Sequence, residues 1–284
     1  ETVIAGYDAV YCDLWGCLHN GKRAYDSAVA ALRAFRATGG TVVLLTNSPR
    51  PSHGIVTQLE RFHVPTDCYD FIVSSGDAAQ NGLTSGTFGR DVYHIGPERD
   101  FVFFADSQGK PFDINRVPLE AAEGIVCTGL FDDHAETPED YRHTILTGVN
   151  RGLEMLCANP DVIVDLGEKR IYCGGAIAEA YRAAGGQVHY YGKPHPPIYA
   201  AARQRLVEHL GRDVDTSRIL AIGDGIATDV PGAINENIDC LFITGGLAAE
   251  ETGTTPDAGP DPDLLDGFLT RHQLSPRYAA GYLA

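Results

Sequence analysis

The stretch VYCDLWGCLHNG, residues 10–21, decides the fold, because a short apolar run ends there in an aspartate and a polar turn. An aspartate after a strand is often only a turn or helix cap. At the carboxyl edge of a parallel sheet, however, it lies where open α/β proteins bind their ligands. The stretch therefore predicts a first strand and a candidate ligand group, Asp13. Two residues later stands Trp15, the only tryptophan in the chain.

Strands of the same kind recur along the chain and alternate with helix-period stretches, the pattern of βαβ units around a parallel sheet. The first helical stretch shows this period, because Ala28, Leu32 and Phe35 share one face. The sequence therefore predicts an α/β fold. The predicted strands are DAVYCDL (8–14), TVVLLTN (41–47), FIVSS (71–75), VHYYG (188–192), RILAIGD (218–224) and DCLFIT (239–244).

The central third of the chain has a different texture. DVYHIG and EGIVCTG are predicted strands there, and PEDYRHTILTGVNRGLEM begins with Pro and acidic residues, as a helix does. We therefore predict a core domain of residues 1–78 and 187–284, with a second domain inserted at 79–186. The later stretch EETGTTPDAGPDPD is predicted to be a surface linker into the short helix LLDGFLTRH.

Composition excludes several classes of function. The 284 residues include 22 Lys and Arg against 38 Asp and Glu, a formal charge of -16, which repels nucleic acid and anionic membranes. The seven cysteines form no C-x-x-C pair, which favours a reduced, cytoplasmic protein without structural zinc. No run approaches the roughly 18 apolar residues of a membrane helix, and the first residues do not resemble a signal peptide. The oligomeric state, a homodimer included, stays open.

Polar residues follow four of the predicted strands. They are Asp13, the pair Thr46 and Asn47, Lys193, and Asp224. Each has a simpler explanation by itself, such as a turn or a surface lysine. Together, two carboxylates with an ammonium, a hydroxyl and an amide can bind Mg²⁺ and hold a phosphoryl group.

Four segments in this order resemble the motifs of the haloacid dehalogenase-like superfamily: CDLWGCLHNG, LLTNS, YGKPHPPIY and AIGDGIATDVPGA. The resemblance implies a Rossmann-like parallel sheet core with an inserted α/β cap domain, and phosphoryl transfer through an aspartyl-phosphate. The long insertion between Asn47 and Lys193 resembles a class IIA cap. That class includes nitrophenylphosphatase-like enzymes and nucleotide or sugar phosphatases.

The same resemblance implies a role for each matching residue. Asp13 would be the nucleophile, and Lys193 would neutralise charge between it and the phosphate of a small phosphorylated metabolite. The other implied residues are Thr46, Asn47 and Ser48 around the phosphoryl group, Asp13, Trp15, Asp224 and Asp229 around Mg²⁺, and Trp15, His19, Asn159 and Asp161 at the substrate. The segment NPD, 159–161, is also a turn by its chemistry.

Trp15 is a departure from the family pattern, which reads Asp-x-Asp. The second aspartate of that pattern protonates the leaving oxygen and then activates water. An indole N–H has no proton to exchange near neutral pH, so Trp15 cannot replace it. Metal binding is expected to survive, because this position ligates through its backbone carbonyl in the family. We expect the ring to pack between the domains and shape the floor of the site.

Three hypotheses follow from the missing carboxylate. The protein is a Mg²⁺-dependent phosphatase that is slow, or restricted to activated leaving groups, because a lost general acid costs about 10²–10⁴ in rate. Alternatively, His19 or His195 supplies the acid. In the third hypothesis the protein binds a phosphorylated ligand without turning it over. Dehalogenase chemistry ranks below these, and no G-x-G-x-x-G follows the first strand and no P-loop or G-x-S-x-G motif occurs.

Overall fold

The computed structural model describes residues 3–166 and 169–284. Numbered along the chain, its strands are β1 (Ala9–Cys12), β2 (Thr41–Thr46), β3 (Phe71–Ser74), β4 (Asp91–Ile95), β5 (Asn115–Arg116), β6 (Gly124–Cys127), β7 (Glu154–Cys157), β8 (Ile163–Leu166), β9 (Lys169–Tyr172), β10 (Val188–Tyr190), β11 (Ile219–Gly223), β12 (Asp239–Ile243) and β13 (Tyr278–Ala280). Its helices are α1 (Asp26–Ala37), α2 (Ser52–Arg61), α3 (Ser75–Thr84), α4 (Arg142–Asn150), α5 (Gly174–Ala183), α6 (Pro196–Leu210), α7 (Asp229–Asn235) and α8 (Pro262–His272).

The larger sheet has six strands in the order β13-β12-β11-β1-β2-β3. All of its neighbouring pairs are parallel. Parallel sheets are covered on both faces, because each crossover connection places a helix against one face. Strand β1 lies between β11 and β2, so the carboxyl ends of these three strands meet at one edge.

Successive residues of β1 pack against opposite faces of this sheet. Val10 and Cys12 join the core under α1 and α2, whereas Ala9 and Tyr11 join the core under α6 and α8. Burying a large apolar side chain contributes about 1.5–3 kcal/mol. Packing on both faces therefore holds the strand rigidly at the edge where Asp13 follows it.

The smaller sheet has five parallel strands in the order β10-β7-β6-β4-β5. Helices α4 and α5 cover one face with Ile145, Ile177 and Tyr181, and α3 packs Leu83 against the other. Strands β8 and β9 form a separate antiparallel pair. The predicted class is thus confirmed: the fold is α/β, with a Rossmann-like parallel sheet core and an inserted α/β cap.

The bounds of the two domains stay predictions. Helix α3 runs across the predicted boundary between 78 and 79. Strand β10 lies beyond residue 186, yet it pairs with β7 in the smaller sheet. The expectation that Lys193 follows a strand of the same sheet as Asp13 is therefore wrong. Lys193 enters from the smaller sheet, because the chain crosses from β10 to α6 at this point.

Two further details differ from the sequence pattern. The predicted helix over PEDYRHTILTGVNRGLEM ends at Asn150, and Glu154 begins strand β7, because the chain turns at Gly152 with a φ of 67°. Strands β5, β8, β9 and β13 also have no counterpart among the predicted strands. Within residues 3–166 and 169–284, none of the helices combines the length and the apolar character needed to cross a bilayer.

Candidate active site

Three neighbouring strands deliver polar residues to one edge of the larger sheet. Asp13 follows β1, Thr46 ends β2, and Asp224 follows β11. The backbone N–H of Asp13 donates to the carbonyl of Ile222 at 2.8 Å, which continues the β1–β11 pairing one residue beyond the end of β1. All three side chains are buried. The register of the sheet therefore brings together residues that are far apart in sequence.

Lys193 connects two carboxylates of this edge. Its Nζ donates to Oδ1 of Asp13 at 2.6 Å and to Oδ1 of Asp229 at 2.7 Å, and only 2% of the residue is exposed. Burial alone would lower the pKa of Lys193, but the two carboxylates outweigh it and raise the pKa well above its usual value. The two carboxylates therefore favour the charged ammonium beside Asp13.

Asp229 begins α7 and uses both of its oxygens. Oδ1 accepts from Lys193, and Oδ2 accepts from the backbone N–H of Gly225 at 3.1 Å and from the hydroxyl of Thr228 at 3.4 Å. These bonds hold the Asp229 carboxylate in contact with the Lys193 ammonium. The predicted place of Asp229 around Mg²⁺, where it would support the ion directly or through water, stays a prediction.

Asn47 anchors the segment that carries Lys193. Its Oδ1 accepts from the backbone N–H of Lys193 at 2.6 Å, and its Nδ2 donates to the Lys193 carbonyl at 3.0 Å and to Oδ1 of Asp161 at 2.8 Å. The amide side chain is thus fully occupied by protein groups. These bonds give the side chain a positioning role, and the contact of Asn47 with a phosphoryl oxygen stays a prediction.

One group of candidate metal ligands occurs in the described part of the chain. It contains Asp13, Cys17 and Asp224, whose ligand atoms all lie within 4.8 Å of one another. Burial, opposed by Lys193, raises the pKa of Asp13 to about 7. Burial and then the charge of Asp13 raise the pKa of Asp224 well above its usual value. Two such carboxylates repel each other, so a divalent cation between them would be strongly favoured.

The surroundings of Asp224 fit a cation bound by oxygen ligands. Among the described residues its carboxylate has one hydrogen-bond partner, the backbone N–H of Leu247 at 3.3 Å, and no ion pair. Gly16 and Gly246 approach so closely that an added Cβ would lie 2.0 and 1.9 Å from Oδ2 of Asp224. The carboxylate is thus enclosed by backbone and left without a countercharge, as a site for Mg²⁺ requires.

Cys17 is the member of this group that Mg²⁺ would use least. Burial, then Asp224 and Asp13, raise the pKa of its thiol well above its usual value, so it keeps its proton. Magnesium prefers carboxylate, carbonyl and water oxygens. Asp13 and Asp224 are therefore the two members of this group that suit Mg²⁺, and ligation by the backbone carbonyl of Trp15 stays a prediction.

Two cavities meet at Asp13. The inner cavity, of about 160 Å³, is lined by Asp13, Lys193, Asp224 and Asp229 on the core side. The cleft cavity, of about 270 Å³, is lined by Thr46, Ser48 and Asn159. Trp15 lines both cavities and packs against the core, as a residue at the floor of the site would. A side cavity of about 480 Å³ shares Asp161 and Asp224 with the inner one.

The two histidines predicted near the site differ in their access to the cavities. His19 is 2% exposed, its ring lies between Trp15 and Phe62, and it lines none of the three cavities. Its Nδ1 accepts from the N–H of Gly21, and burial lowers its pKa to about 4. This position gives no support to the substrate contact and the acid role of His19, which stay predictions. His195 lines the side cavity, stacked on Tyr190.

The cap residues Asn159 and Asp161 reach the cleft. Oδ1 of Asn159 accepts from the N–H of Asp161 at 3.1 Å, which forms the turn predicted for this segment. Asn159 lines the cleft cavity, and Asp161 lines the inner, cleft and side cavities. Burial raises the pKa of Asp161 to about 6, against the lowering effects of Lys193 and Asn47.

Several residues of the site have no signal in the sequence. Cys17 follows the glycine of the first motif and is apolar by pattern, while Gly246 and Leu247 lie in a loop far along the chain. Arg50 and Asp100 line the cleft cavity, with the guanidinium 4.0 Å from the carboxylate. Only the glycine pair at 245 and 246, typical of close backbone approach, points to the loop.

Two family models match the chain. One, described as haloacid dehalogenase-like hydrolase, matches residues 10–109, and the other, described as HAD-hydrolase-like, matches residues 190–270. The first span contains Asp13 and Thr46, and the second contains Lys193 and Asp224. Both segments that converge on the site are therefore family segments.

Solved structures and curated relatives agree with these matches. A hydrolase of the haloacid dehalogenase-like family from Brucella suis 1330 is 40% identical, with a TM-score of 0.87, covering 100% of this chain and 98% of that chain. The p-nitrophenyl phosphatase from Archaeoglobus fulgidus is 20% identical, with a TM-score of 0.71, covering 98% and 97%. The 5'-nucleotidase YutF of Bacillus subtilis (strain 168) is 25% identical over 249 residues, 86% of this chain and 90% of that protein.

Proposed function

Because this chain belongs to the haloacid dehalogenase-like hydrolases, we propose that it is a Mg²⁺-dependent phosphatase acting on a small phosphorylated metabolite. The observation that carries the proposal is the contact of the Lys193 ammonium with Asp13, 2.6 Å long, beside the carboxylate of Asp224, which has no countercharge among the described residues. The similar proteins from Archaeoglobus fulgidus and Bacillus subtilis are named as phosphatase and nucleotidase, which supports the same reaction class.

The proposed reaction begins with the phosphoryl group in the inner cavity and its organic part in the cleft cavity. A carboxylate oxygen of Asp13 attacks phosphorus and forms an aspartyl-phosphate, while the leaving oxygen departs into the cleft. Lys193 balances the negative charge between nucleophile and phosphoryl group. The Thr46 hydroxyl, on the cleft side of Asp13, donates to a phosphoryl oxygen that faces the cleft. Positioning and charge neutralisation are the main sources of rate in phosphoryl transfer.

We propose Asp13, Asp224 and the carbonyl of Trp15 as the ligands of Mg²⁺. When bound, Mg²⁺ supplies positive charge next to the phosphoryl oxygens. Asp229 contributes indirectly, because its contact with Lys193 at 2.7 Å holds the ammonium in place. Asn47 does the same for the backbone of Lys193.

Hydrolysis of 4-nitrophenyl phosphate tests this function. Its leaving group needs little protonation, so turnover depends on Asp13, Lys193 and the cation and not on a general acid. We expect Mg²⁺-dependent release of phosphate and, after rapid acid quench, a phosphoryl group on the peptide that contains Asp13. Asp13→Asn is the control and should show neither product.

The opposite result would favour a different function for this protein. If Mg²⁺ and 4-nitrophenyl or acyl phosphates give neither phosphate nor a phosphorylated Asp13, the result favours the alternative in which the chain binds a phosphorylated ligand without hydrolysing it. A cytoplasmic location is part of the proposal, because all seven cysteines lie in the described residues and are buried and free. The identity of the metabolite and the oligomeric state lie outside it.

A further inference from the structure

We propose that Asp161, which the cap contributes, is the acid–base carboxylate that position 15 lacks. In this role it protonates the leaving oxygen and then activates the water that cleaves the aspartyl-phosphate. The inference rests on the proposed phosphatase function and adds a catalytic residue to it. It differs from the substrate contact that sequence resemblance implies for this position.

The first support is position. Four residues line both the inner and the cleft cavity, and they are Asp13, Trp15, Asp161 and Val164. A phosphate ester with its phosphoryl group in one cavity and its organic part in the other places the breaking P–O bond where the two cavities meet. Of the titratable groups described, Asp13 and Asp161 are the two at this junction. Because Asp13 is the nucleophile, Asp161 is left for proton transfer.

The second support is the way the carboxyl group is held. Oδ1 accepts from Nδ2 of Asn47 at 2.8 Å, a contact that joins cap and core. Oδ2 has no hydrogen-bond partner within the described ranges, so it is free to exchange a proton. The turn itself is fixed, because the N–H of Gly175 donates to the Asp161 carbonyl at 3.0 Å and an added Cβ at Gly175 would lie 2.5 Å from that oxygen.

The third support is protonation. Burial raises the pKa of Asp161 to about 6, so both of its forms are accessible near neutral pH, as a group that alternates between acid and base requires. Its ionisable neighbours are Lys193, Asp13 and Asp229 from the core and Cys157 and Cys173 from the cap. Across the cavities it also faces Arg50, Arg99, Asp133, Asp165, Asp224 and His195.

The proton balance is complete without a further reactant. In the first step Asp13 bonds to phosphorus, the P–O bond to the leaving group breaks, and the neutral carboxyl of Asp161 gives its proton to the leaving oxygen. In the second step the Asp161 carboxylate takes a proton from water, whose oxygen attacks phosphorus as the bond to Asp13 breaks. The products are an alcohol or phenol and phosphate, and Asp161 is again protonated.

A leaving-group series tests the assignment. Phenyl phosphate and 4-nitrophenyl phosphate have nearly the same shape, but the phenol leaving group needs a proton much more than the nitrophenol one. In Asp161→Asn, which retains an acceptor for Asn47, we expect kcat/KM for phenyl phosphate to fall about 10²–10⁴-fold and for 4-nitrophenyl phosphate about tenfold or less. The second step loses its base, so phosphorylated Asp13 should accumulate after a burst of nitrophenol.

The pH profile separates catalysis from positioning. In the wild-type protein, kcat/KM for phenyl phosphate should fall relative to the variant as pH rises through about 6, because the protonated form of Asp161 is consumed. The pH profile of Asp161→Asn should lack this fall. The matched control is Asp165→Asn, which removes a half-buried carboxylate that also lines the inner cavity and pairs with Arg170 at 2.9 Å. It should leave the leaving-group ratio unchanged.

Rescue completes the test. Trp15→Asp in the Asp161→Asn protein restores a carboxylate near the junction and should recover the phenyl phosphate rate at least tenfold. If Asp161→Asn is not folded, Asp161→Ser serves the same comparison. Equal losses on both esters, or an unchanged profile, would overturn the assignment. Absence of turnover and of phosphorylated Asp13 in the wild-type protein would instead reject the phosphatase function.

Discussion

The two sides of the carboxylate site balance negative charge in opposite ways. On the Lys193 side, Asp13 and Asp229 share one ammonium at 2.6 and 2.7 Å. On the Asp224 side, the carboxylate and the Cys17 thiol lie with Asp13 in a group within 4.8 Å, and no cationic side chain of the described residues pairs with Asp224. Asp13 belongs to both sides.

This difference shows what the protein supplies and what it takes from solution. The Lys193 side is assembled by the chain itself, since the positive charge arrives with a buried side chain. The Asp224 side is left electrostatically incomplete, and burial makes this costly unless a cation binds. The following predictions remove one side at a time, from the largest expected effect to the smallest.

Asp13→Asn removes the residue common to both sides. The amide cannot form a phosphorylated intermediate, so kcat for 4-nitrophenyl phosphate should fall on the order of 10⁴–10⁶-fold. Steady-state assays with excess Mg²⁺ measure this. Residual activity within a factor of ten of the wild-type protein would mean that another group is the nucleophile.

Lys193→Met tests the side that the chain balances itself. It leaves Asp13 and Asp229 buried as like charges, and breaking a buried ion pair in this way costs about 3–5 kcal/mol. Urea unfolding without divalent cations should show this loss at pH 8. The loss should be smaller at pH 5, because Asp13, with a pKa near 7 even beside Lys193, then takes up a proton.

The matched control for this variant is Lys110→Met, which removes an exposed lysine that is part of no ion pair described here. Its free energy of unfolding should change by less than about 1 kcal/mol. Similar losses in both variants would show that the Lys193 pairs do not stabilise the site.

Asp224→Asn tests the side left for a cation. At 100 times its dissociation constant, Mg²⁺ should raise the free energy of unfolding of the wild-type protein by about 2.7 kcal/mol. The variant should lose most of this increase. Calorimetry or urea unfolding with and without a chelator measures it, and an undiminished Mg²⁺ effect in the variant would place the ion elsewhere.

The same variant predicts a pH dependence in the absence of metal. The pKa of Asp224 is raised in the folded protein from 3.8, first by burial and then by Asp13 and Asp229. The folded state therefore holds a proton that the unfolded chain releases above about pH 4, so this group makes stability fall as pH rises. Asp224→Asn should remove that fall. The gain in stability of the variant over the wild-type protein should therefore be larger at pH 8 than at pH 5.

Cys17→Ser gives the smallest effect on either side. Mg²⁺ prefers oxygen ligands, so its affinity should change by less than about threefold. The affinity for Cd²⁺, which prefers sulfur, should fall more. Titrations of both ions against the wild-type and variant proteins compare the two, and an equal loss for both ions would mean that the thiol acts only through packing.

Local pattern predicted most of the elements. The periods of two and of 3.6 residues located five strands of the larger sheet and the buried faces of α1, α2 and α6. Strand β13 was not predicted, because an edge strand of three partly exposed residues has little apolar signal. The family resemblance, read from four motifs, is confirmed by the family models and by the Brucella suis structure.

The residues of the candidate site could be predicted from the sequence, but the contacts between them could not. The resemblance named Asp13, Lys193 and Asp224, and the geometry brings the first two into contact and the first and third into one ligand group. It could not indicate that the side-chain amide of Asn47 is hydrogen-bonded to protein groups or that His19 is buried away from the cavities. Both facts depend on neighbours that come from other parts of the chain.

The sequence by itself determined the alternation of strands and helices, the acidic surface and the order of the polar strand ends. These properties follow from residues close together in the chain. Only the tertiary structure decided that Asp161 meets Asn47 across 114 positions and lines the same two cavities as Asp13. Such a contact depends on how the cap lies against the core, and this arrangement leaves no period or spacing in the sequence.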